Sequence, residues 1–199
     1  MGELNQNQLA HILTEEKAKY LEVIELHTFD ADICIEPYNS NKFNKTITAM
    51  FRGPDAAKGE LECKFINDVW LTYYINPLSS VLKDEQNKLE VVIRIPDMIL
   101  NKLLINSING NVRISSNVLN VYAMTKYSNI MVSTNLNTDV YYELISIAGN
   151  IDLKCKNIMD FKAFINGKQI DASKKEGLNG EYVLFGDIYS KAGVITYLI

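Results

Sequence analysis

The second half of the chain repeats one short pattern, and this repeat constrains the fold more than any other feature. The pattern is apolar-x-Ser/Thr-x-x-Gly/Ser-x-Ile/Val-x-apolar. Its clear copies occupy residues 105–114, 123–132, 144–153 and 188–197. A weaker copy lies between the last two, with its glycine one place early; its members are Ala163, Ile165, Gly167, Ile170 and Ala172.

The spacing within a copy indicates a strand. The two apolar residues after the glycine lie two apart, so both face the same side. The glycine is expected where a Cβ would be penalised, and the Ser/Thr hydroxyl is expected to bond turn backbone. A repeat of about 20 residues is typical of a solenoid, in which stacked units bury one continuous core. The sequence therefore predicts an all-β, single-stranded parallel β-helix, or β-solenoid, of about five short coils. The stacked anchors would be Val112, Ile130, Ile151, Ile170 and Ile195.

Three Asn-Gly pairs support an alternative fold. Asn109-Gly110, Asn166-Gly167 and Asn179-Gly180 are hairpin signals when alternating residues flank them. On that interpretation the region is an antiparallel meander or sandwich. The solenoid is favoured, because hairpins do not predict a recurring four-column register.

The first half is less regular. Residues 4–20 carry a partial apolar stripe with Thr14-Glu15-Glu16 as a cap, which predicts one short helix. Short alternating segments between turn residues follow, which is typical of strands. We expect a helical segment at residues 1–20 and a single solenoid domain at 21–199. Within it, irregular strands occupy 21–100 and regular repeats 101–199.

Two stretches of this first half resemble a known family. Residues 29–37 (Phe-Asp-Ala-Asp-Ile-Cys-Ile-Glu-Pro), followed by Lys42 and 47–53, look like the opening of bacterial putative-adhesin domains. Val92-Ile-Arg-Ile-Pro96, ahead of the Ser/Thr-x-x-Gly-x-Ile/Val repeats, is similar too. The resemblance covers roughly residues 20–199. It implies a parallel β-helix in a family of unknown function, and the family's label implies surface binding.

Composition narrows the classes of partner and compartment. The net charge is −4, whereas nucleic-acid binding usually needs a basic stripe, so no nucleic-acid partner is expected. No apolar run is long enough to span a bilayer. The start lacks a secretory signal, which predicts a cytoplasmic protein, or a surface protein if Met1-Gly2 replaces a removed signal. Cys34, Cys63 and Cys155 are too few and scattered for a disulfide framework, so we expect reduced thiols.

The sequence contains no recognisable catalytic or metal-binding set. His11 and His27 have no second ligand at zinc spacing, and no nucleophile elbow, P-loop, dinucleotide fingerprint or calcium nonapeptide occurs. We therefore predict no metal and no cofactor, and assign no ligand-binding residues. The leading hypothesis is a non-enzymatic binding or scaffold domain, adhesin-like, with a protein or carbohydrate partner.

The rival hypothesis is a carbohydrate-active enzyme that uses Asp152 and Asp171. Both stand between the two core positions of their repeats. Coils stacked at ~4.8 Å would make them neighbours, close to the ~5 Å carboxyl separation of retaining glycosidases. Against this, an exposed face lacks the burial that raises the pKa of a catalytic acid.

Two further columns have structural and functional interpretations. Asn111, Asn129 and Asn150 are expected to form an amide ladder rather than a polar strip for glycans. The tyrosines are expected to serve mainly in packing rather than as stacking platforms; they are Tyr122, Tyr127, Tyr141 and Tyr142.

The apolar end at residues 194–199 is expected to be folded back through the loop at 179–186 or buried in a homodimer contact, because exposed apolar edges are usually covered. Deleting residues 194–199 should therefore cause aggregation or unfolding, measured by circular dichroism and light scattering. A truncated protein that stays folded, soluble and unchanged in subunit number would refute the expectation.

Overall fold

The computed structural model describes residues 7–38, 46–53, 56, 59–77, 89–96, 100–135, 138–156, 160–173 and 183–198. These residues are almost entirely strand, with one turn of helix. The elements in chain order are β1 Asn7–Leu13, α1 Glu15–Ala18, β2 Val23–Thr28, β3 Asp32–Tyr38, β4 Ile47–Arg52, β5 Gly59–Ile66, β6 Trp70–Pro77, β7 Glu90–Pro96, β8 Leu100–Ser107, β9 Val112–Ile114, β10 Val118–Thr125, β11 Ile130–Thr134, β12 Val140–Ser146, β13 Ile151–Cys155, β14 Asp160–Ile165, β15 Lys168–Ser173, β16 Val183–Ser190 and β17 Ile195–Leu198.

The strands form two large sheets. One has eight strands in the order β1-β4-β7-β3-β9-β11-β13-β17, and the other has nine in the order β15-β14-β16-β12-β10-β8-β2-β6-β5. Most neighbours run parallel, but β1–β4, β4–β7, β5–β6 and β14–β15 are antiparallel. Both sheets are therefore mixed in direction. Alternate side chains of each sheet turn inward, and together they form one hydrophobic core between the sheets.

The prediction of a single-stranded parallel β-helix with about five coils is wrong, although the all-β class is right. Each of the four clear copies of the pattern contributes two strands. The strand that ends at the Ser/Thr joins the nine-stranded sheet, and the strand that starts at the Ile/Val joins the eight-stranded sheet. Strands of the first half belong to the same two sheets, because β2 pairs with β8 and β3 pairs with β9. Antiparallel strands complete the sheets.

The weaker copy is a hairpin. β14 and β15 pair antiparallel, with Ala163 opposite Ile170, in the nine-stranded sheet. Asn166 and Gly167 form the turn with φ of 51° and 75°, as a tight primed turn requires. Ile170 is therefore not an anchor beside Ile151. Thus the hairpin alternative is correct here, whereas Asn109-Gly110 links strands of different sheets. The pair at 179–180 lies outside the described residues.

The predicted N-terminal helix is also wrong for most of its length. Residues 7–13 form β1, which pairs antiparallel with β4, and helix is limited to Glu15–Ala18. Leu13 joins the core, while Leu9 and Ile12 stay about half exposed. Pairing with β4 outweighs the weak helical preference of this segment, because it satisfies backbone donors and acceptors of both strands.

The Ser/Thr residues stand side by side where the chain leaves the nine-stranded sheet. Strand pairing brings five of them into one row: Thr28, Ser107, Thr125, Ser146 and Ser190. The Ser146 hydroxyl accepts a hydrogen bond from the Gly149 amide at 2.8 Å and donates one to the Ser128 carbonyl at 2.9 Å. Ser190 repeats the arrangement with Gly193 and the Gly149 carbonyl, at 2.9 Å each. Each of these two hydroxyls thus bonds the backbone of its own turn, as the sequence predicted, and also bonds the turn of the adjacent pass of the chain, which it did not predict.

The repeat glycines lie too close to the backbone of the adjacent turn to carry a side chain. A Cβ on Gly149 would lie 2.0 Å from the Ser128 carbonyl oxygen, and one on Gly193 would lie 2.0 Å from the Gly149 carbonyl oxygen. No real Cβ tolerates such distances from backbone. Among the described residues, the glycines with positive φ are Gly53 and Gly167. The expected penalty for a Cβ is therefore real, but its cause is the adjacent turn rather than a left-handed backbone.

Gly149→Ala should lower the free energy of unfolding by about 3 kcal/mol, because the added methyl must displace a carbonyl that accepts the Ser146 hydrogen bond. The matched variant Gly167→Asn should cost less than about 1 kcal/mol, since asparagine tolerates positive φ. Nothing lies within 4 Å of the Cβ position at Gly167. Urea unfolding followed by circular dichroism measures both. Equal losses of unfolding free energy in the two variants would show that the close contact with the Ser128 carbonyl does not explain the glycine at position 149.

Candidate functional site

The outer surface of the nine-stranded sheet carries a group of aromatic side chains. Inward positions such as Leu103 and Ile105 fill the core, so strand alternation sends their neighbours outward. We call the outward side chains of β6, β2, β8, β10, β12, β16 and β14 the aromatic face. Its aromatic members are Trp70, Tyr74, Tyr122, Tyr141, Phe164, Phe185 and Tyr189. Phe164, Phe185 and Tyr189 are each more than 40% exposed.

Parallel pairing arranges the aromatic face in rows. Residues three before each Ser/Thr lie beside one another across strands spaced at ~4.8 Å. This central row consists of Glu25, Leu104, Tyr122, Glu143 and Asp187, and Phe164 of β14 extends it. Carboxylates and aromatic rings therefore share one surface whose order follows from the strand register.

Glu25 is held in place at one end of the central row. Its Oε2 accepts hydrogen bonds from Trp70 Nε1 at 3.0 Å and Thr72 Oγ1 at 3.1 Å, and its Oε1 accepts one from His27 Nε2 at 2.9 Å. The His27 ring stacks on Tyr74, with centroids 5.0 Å apart. His27 therefore helps to orient a carboxylate on the aromatic face.

Two shallow hollows adjoin on this face. One of about 220 Å³ lies between Glu25 and Glu143, over Leu104 and Tyr122. The other, of about 380 Å³, is lined by residues including His27 and shares Asn106 and Met124 with the first. Neither is the deep concave cavity that usually encloses a small molecule. The shape suits a ligand that lies across several strands.

The outer face of the eight-stranded sheet differs, because its charges are paired. Arg52 lies 3.4 Å from Glu36 and 3.0 Å from Glu90. Cys34 is buried beside them, and its Sγ donates to Glu36 Oε1 at 3.5 Å. Burial, followed by the charges of Glu36 and Glu90, raises the Cys34 pKa to about 12, so the thiol stays protonated. These charged groups contact one another within the sheet, so few of them are available to bind a ligand.

Asp152 and Asp171 do not form the predicted carboxylate pair. Asp152 lies on β13 in the eight-stranded sheet, whereas Asp171 lies on β15 in the nine-stranded sheet, opposite Lys162. Asp152 accepts a hydrogen bond from Thr196 at 2.9 Å and pairs with Lys154 at 2.9 Å. The bond with Lys154 contributes most to lowering the Asp152 pKa, which is opposite to what an acid catalyst needs. The glycosidase geometry is therefore absent at these two residues.

The asparagine column forms a ladder, as predicted, but mostly through hydrogen bonds from backbone amides to side-chain oxygens rather than between stacked side chains. Asn111 Oδ1 accepts a hydrogen bond from the Asn129 amide at 3.2 Å, and Asn129 Oδ1 accepts one from the Asn150 amide at 2.8 Å. Asn150 Oδ1 accepts one from the Val194 amide at 2.8 Å. The ladder begins at Asp32, which the sequence pattern did not predict. The Asp32 Oδ1 accepts two hydrogen bonds from Asn111. These side-chain oxygens stabilise the protein internally, which favours the structural interpretation over a glycan strip.

The tyrosine prediction is correct for only part of its set. Tyr142 is fully buried and donates to the Val118 carbonyl at 3.2 Å. Tyr122 and Tyr141 instead stand on the aromatic face with ring centroids 5.7 Å apart, and Tyr127 is exposed. The signal that could have identified this face is the column three residues before each Ser/Thr, which is polar or aromatic from Tyr122 onward.

A Cys–His contact that sequence spacing could not reveal lies near the start of the chain. His11 Nδ1 is hydrogen-bonded to the Tyr73 hydroxyl at 2.8 Å, and its Nε2 lies 3.7 Å from Cys63 Sγ. Burial raises the Cys63 pKa and lowers that of His11, so both groups are neutral instead of forming a reactive thiolate–imidazolium pair.

Within the described ranges, no three His, Cys, Asp or Glu residues come together as metal ligands. Nor does the described part contain a helix long and apolar enough to cross a membrane.

Comparison with known proteins gives a fold likeness. No protein-family model and no curated protein matches the sequence. The crystal structure of a putative cell adhesion protein from Clostridium sporogenes ATCC 15579 superimposes with a TM-score of 0.64 at 14% identity, over 98% of this chain and 99% of that one. A putative adhesin from Bacteroides fragilis NCTC 9343 gives 0.31 at 10% identity, over 99% and 98% of the two chains. At such identities the first likeness shows the fold alone, and the second carries no argument.

Acid should destabilise the protein partly through His11. Burial, and secondarily Lys17, lowers its pKa in the folded state, whereas in the unfolded chain it titrates near about 6.5. Between these values the unfolded chain binds more protons, so the free energy of unfolding falls as pH decreases. His11→Gln should flatten this dependence between pH 7.5 and 5.5, and Lys17→Gln should weaken it partly. Urea unfolding at both pH values measures the slope, and an unchanged slope in His11→Gln would contradict the assignment.

Proposed function

We propose that this protein is a non-enzymatic, adhesin-type binding domain that contacts its partner through the aromatic face. The observation that carries the proposal is the exposure of these rings on one surface of adjoining strands. Exposed apolar patches of this kind mark interaction sites, and buried Trp and Tyr residues supply much of the energy of interfaces.

The geometry supports an extended partner, protein or carbohydrate. The rows cross from β6 to β14, and the hollows beside Glu25 are shallow. Aromatic rings offer large apolar area with few rotatable bonds, while Glu25 is already oriented by Trp70 and Thr72. Such a preformed surface reduces the ordering cost of binding. The fold likeness to a cell adhesion protein agrees with this class but does not specify the ligand.

The test compares matched single variants on the two outer faces. Tyr189→Ser alters the aromatic face, and Met131→Ser alters the eight-stranded sheet; the two native side chains are 41% and 42% exposed. Wild type and variants are applied to a glycan array and a peptide array, with melting temperatures confirming that each is folded. Tyr189→Ser and Tyr122→Ser should weaken binding about tenfold, and Met131→Ser should leave it unchanged.

Two outcomes would contradict the proposal. Full binding by both tyrosine variants would place the contact elsewhere on the protein. Failure of the wild-type protein to bind any member of either array would remove the support for a binding domain of this type.

A further inference from the structure

Two carboxylates stand side by side within the aromatic face. Glu143 on β12 and Asp187 on β16 are register partners of parallel strands, and both point outward. We call them the acidic pair. Their nearest positions on the same face lie two residues away along each strand and on the flanking strands β10 and β14. Those positions are occupied by Tyr122, Tyr141, Ile145, Phe164, Phe185 and Tyr189.

The acidic pair is electrostatically unfavourable in the isolated protein. Strand pairing holds the two residues at ~4.8 Å between backbones, and like charges in this relation are destabilising. Among the described residues, no Lys, Arg or His forms an ion pair with either carboxylate. On the other sheet, by contrast, Arg52 bridges the carboxylates of Glu36 and Glu90.

The lysines that the structure describes on the same face form no ion pair with either carboxylate. Lys102 and Lys162 lie one row away, and the Lys102 ammonium sits 4.6 Å from the centre of the Tyr122 ring. Desolvation, followed by the charges of Glu143, Tyr122 and Asp187 in that order, raises the pKa of Tyr141. Both carboxylate charges thus act on a ring that borders the pair, and no cation in the described part of the chain forms an ion pair with either carboxylate.

Guanidinium is the group that matches this arrangement. It is planar, stacks on aromatic faces, donates to carboxylates in a forked geometry and is more weakly hydrated than an ammonium. We propose that Glu143 and Asp187 together bind the guanidinium of an arginine from a partner polypeptide, with the surrounding rings packed against it. This inference rests on the proposed function and specifies its partner.

The open shape of the face favours an arginine carried by a polypeptide over a free small cation. Small ligands are usually held in concave sites that bury most of their surface. Here the nearest hollow, of about 220 Å³, is shallow and lies on the side of the acidic pair toward Glu25. A chain crossing the strands places its arginine on the pair and its neighbouring residues over Tyr122 and that hollow.

The test uses acetylated, amidated Gly-(Arg-Gly)4, its lysine counterpart, and its citrulline counterpart, in which a neutral urea replaces guanidinium. Isothermal titration calorimetry with wild-type protein should give the tightest binding for arginine, weaker binding for lysine and at least about tenfold weaker binding for citrulline. The arginine affinity should fall as salt increases. Equal affinity for the citrulline peptide would overturn the inference.

Variants of the acidic pair test whether the arginine peptide binds there. The double variant E143Q/D187N should bind the arginine peptide at least about tenfold more weakly. Its melting temperature should equal or exceed that of wild type, because repulsion is removed. Glu62→Gln, an exposed carboxylate on the edge strand β5, is the matched control and should bind normally. Unchanged affinity in the double variant, or its unfolding, would overturn the inference.

Two further outcomes separate this inference from the proposed function. If glycans bind through Tyr189 and Tyr122 while E143Q/D187N binds them normally and no arginine peptide binds, the cation site is wrong and the binding domain stands. If agmatine alone binds as tightly as the peptide, the polypeptide partner is wrong. Failure of both tyrosine variants to affect any ligand removes the proposed function and the inference together.

Discussion

The contact between adjacent turns controls the register of both sheets. Hydrogen-bonded strands bring neighbouring passes of the chain within ~4.8 Å, and at the turn this leaves no space for a Cβ between Gly149 and the Ser128 carbonyl. Ser146 then bonds both turns at once. Because the turn joins the two sheets, it aligns Thr125 with Ser146 in one and Ile130 with Ile151 in the other. A slip by one residue would move every core side chain to the surface.

This arrangement separates residues that maintain the fold from residues available for binding. Inward positions such as Tyr142 fill the core, and the hydroxyls and glycines build the turns. Outward side chains lie outside the shared core, and the two sheets use them differently. Arg52 and its carboxylate partners pair charges across the eight-stranded sheet, whereas Glu143 and Asp187 stand unpaired among rings within the described part of the nine-stranded sheet. The second arrangement adds nothing to stability, and it is the basis of the cation binding that we propose.

The sequence predicted local contacts better than long-range ones. The Ser146–Gly149 turn and the Asn129–Asn150 bond follow from residue types at fixed spacing, and the structure contains both. Whether the chain crosses to a second sheet after the Ser/Thr depends on packing that the spacing alone does not determine. Residues 7–13 became a strand because a distant strand, β4, pairs with them, and the hairpin at Gly167 displaced Asp171 from the column of Asp152. The aromatic face emerged only once register aligned residues from different strands.

The rigid turns also explain how the protein tolerates the acidic pair. Repulsion between Glu143 and Asp187 opposes the pairing of β12 with β16, by an amount comparable with the ~0.2–1 kcal/mol of a cross-strand interaction. Three residues further on, Ser146 and Ser190 are register partners at the turn, and the Ser190 hydroxyl donates a hydrogen bond to the Gly149 carbonyl. That bond contributes about 1 kcal/mol, so the local register withstands the repulsion. A cation bound at the acidic pair, as we propose, would therefore need no rearrangement of the strands, which would reduce the cost of binding.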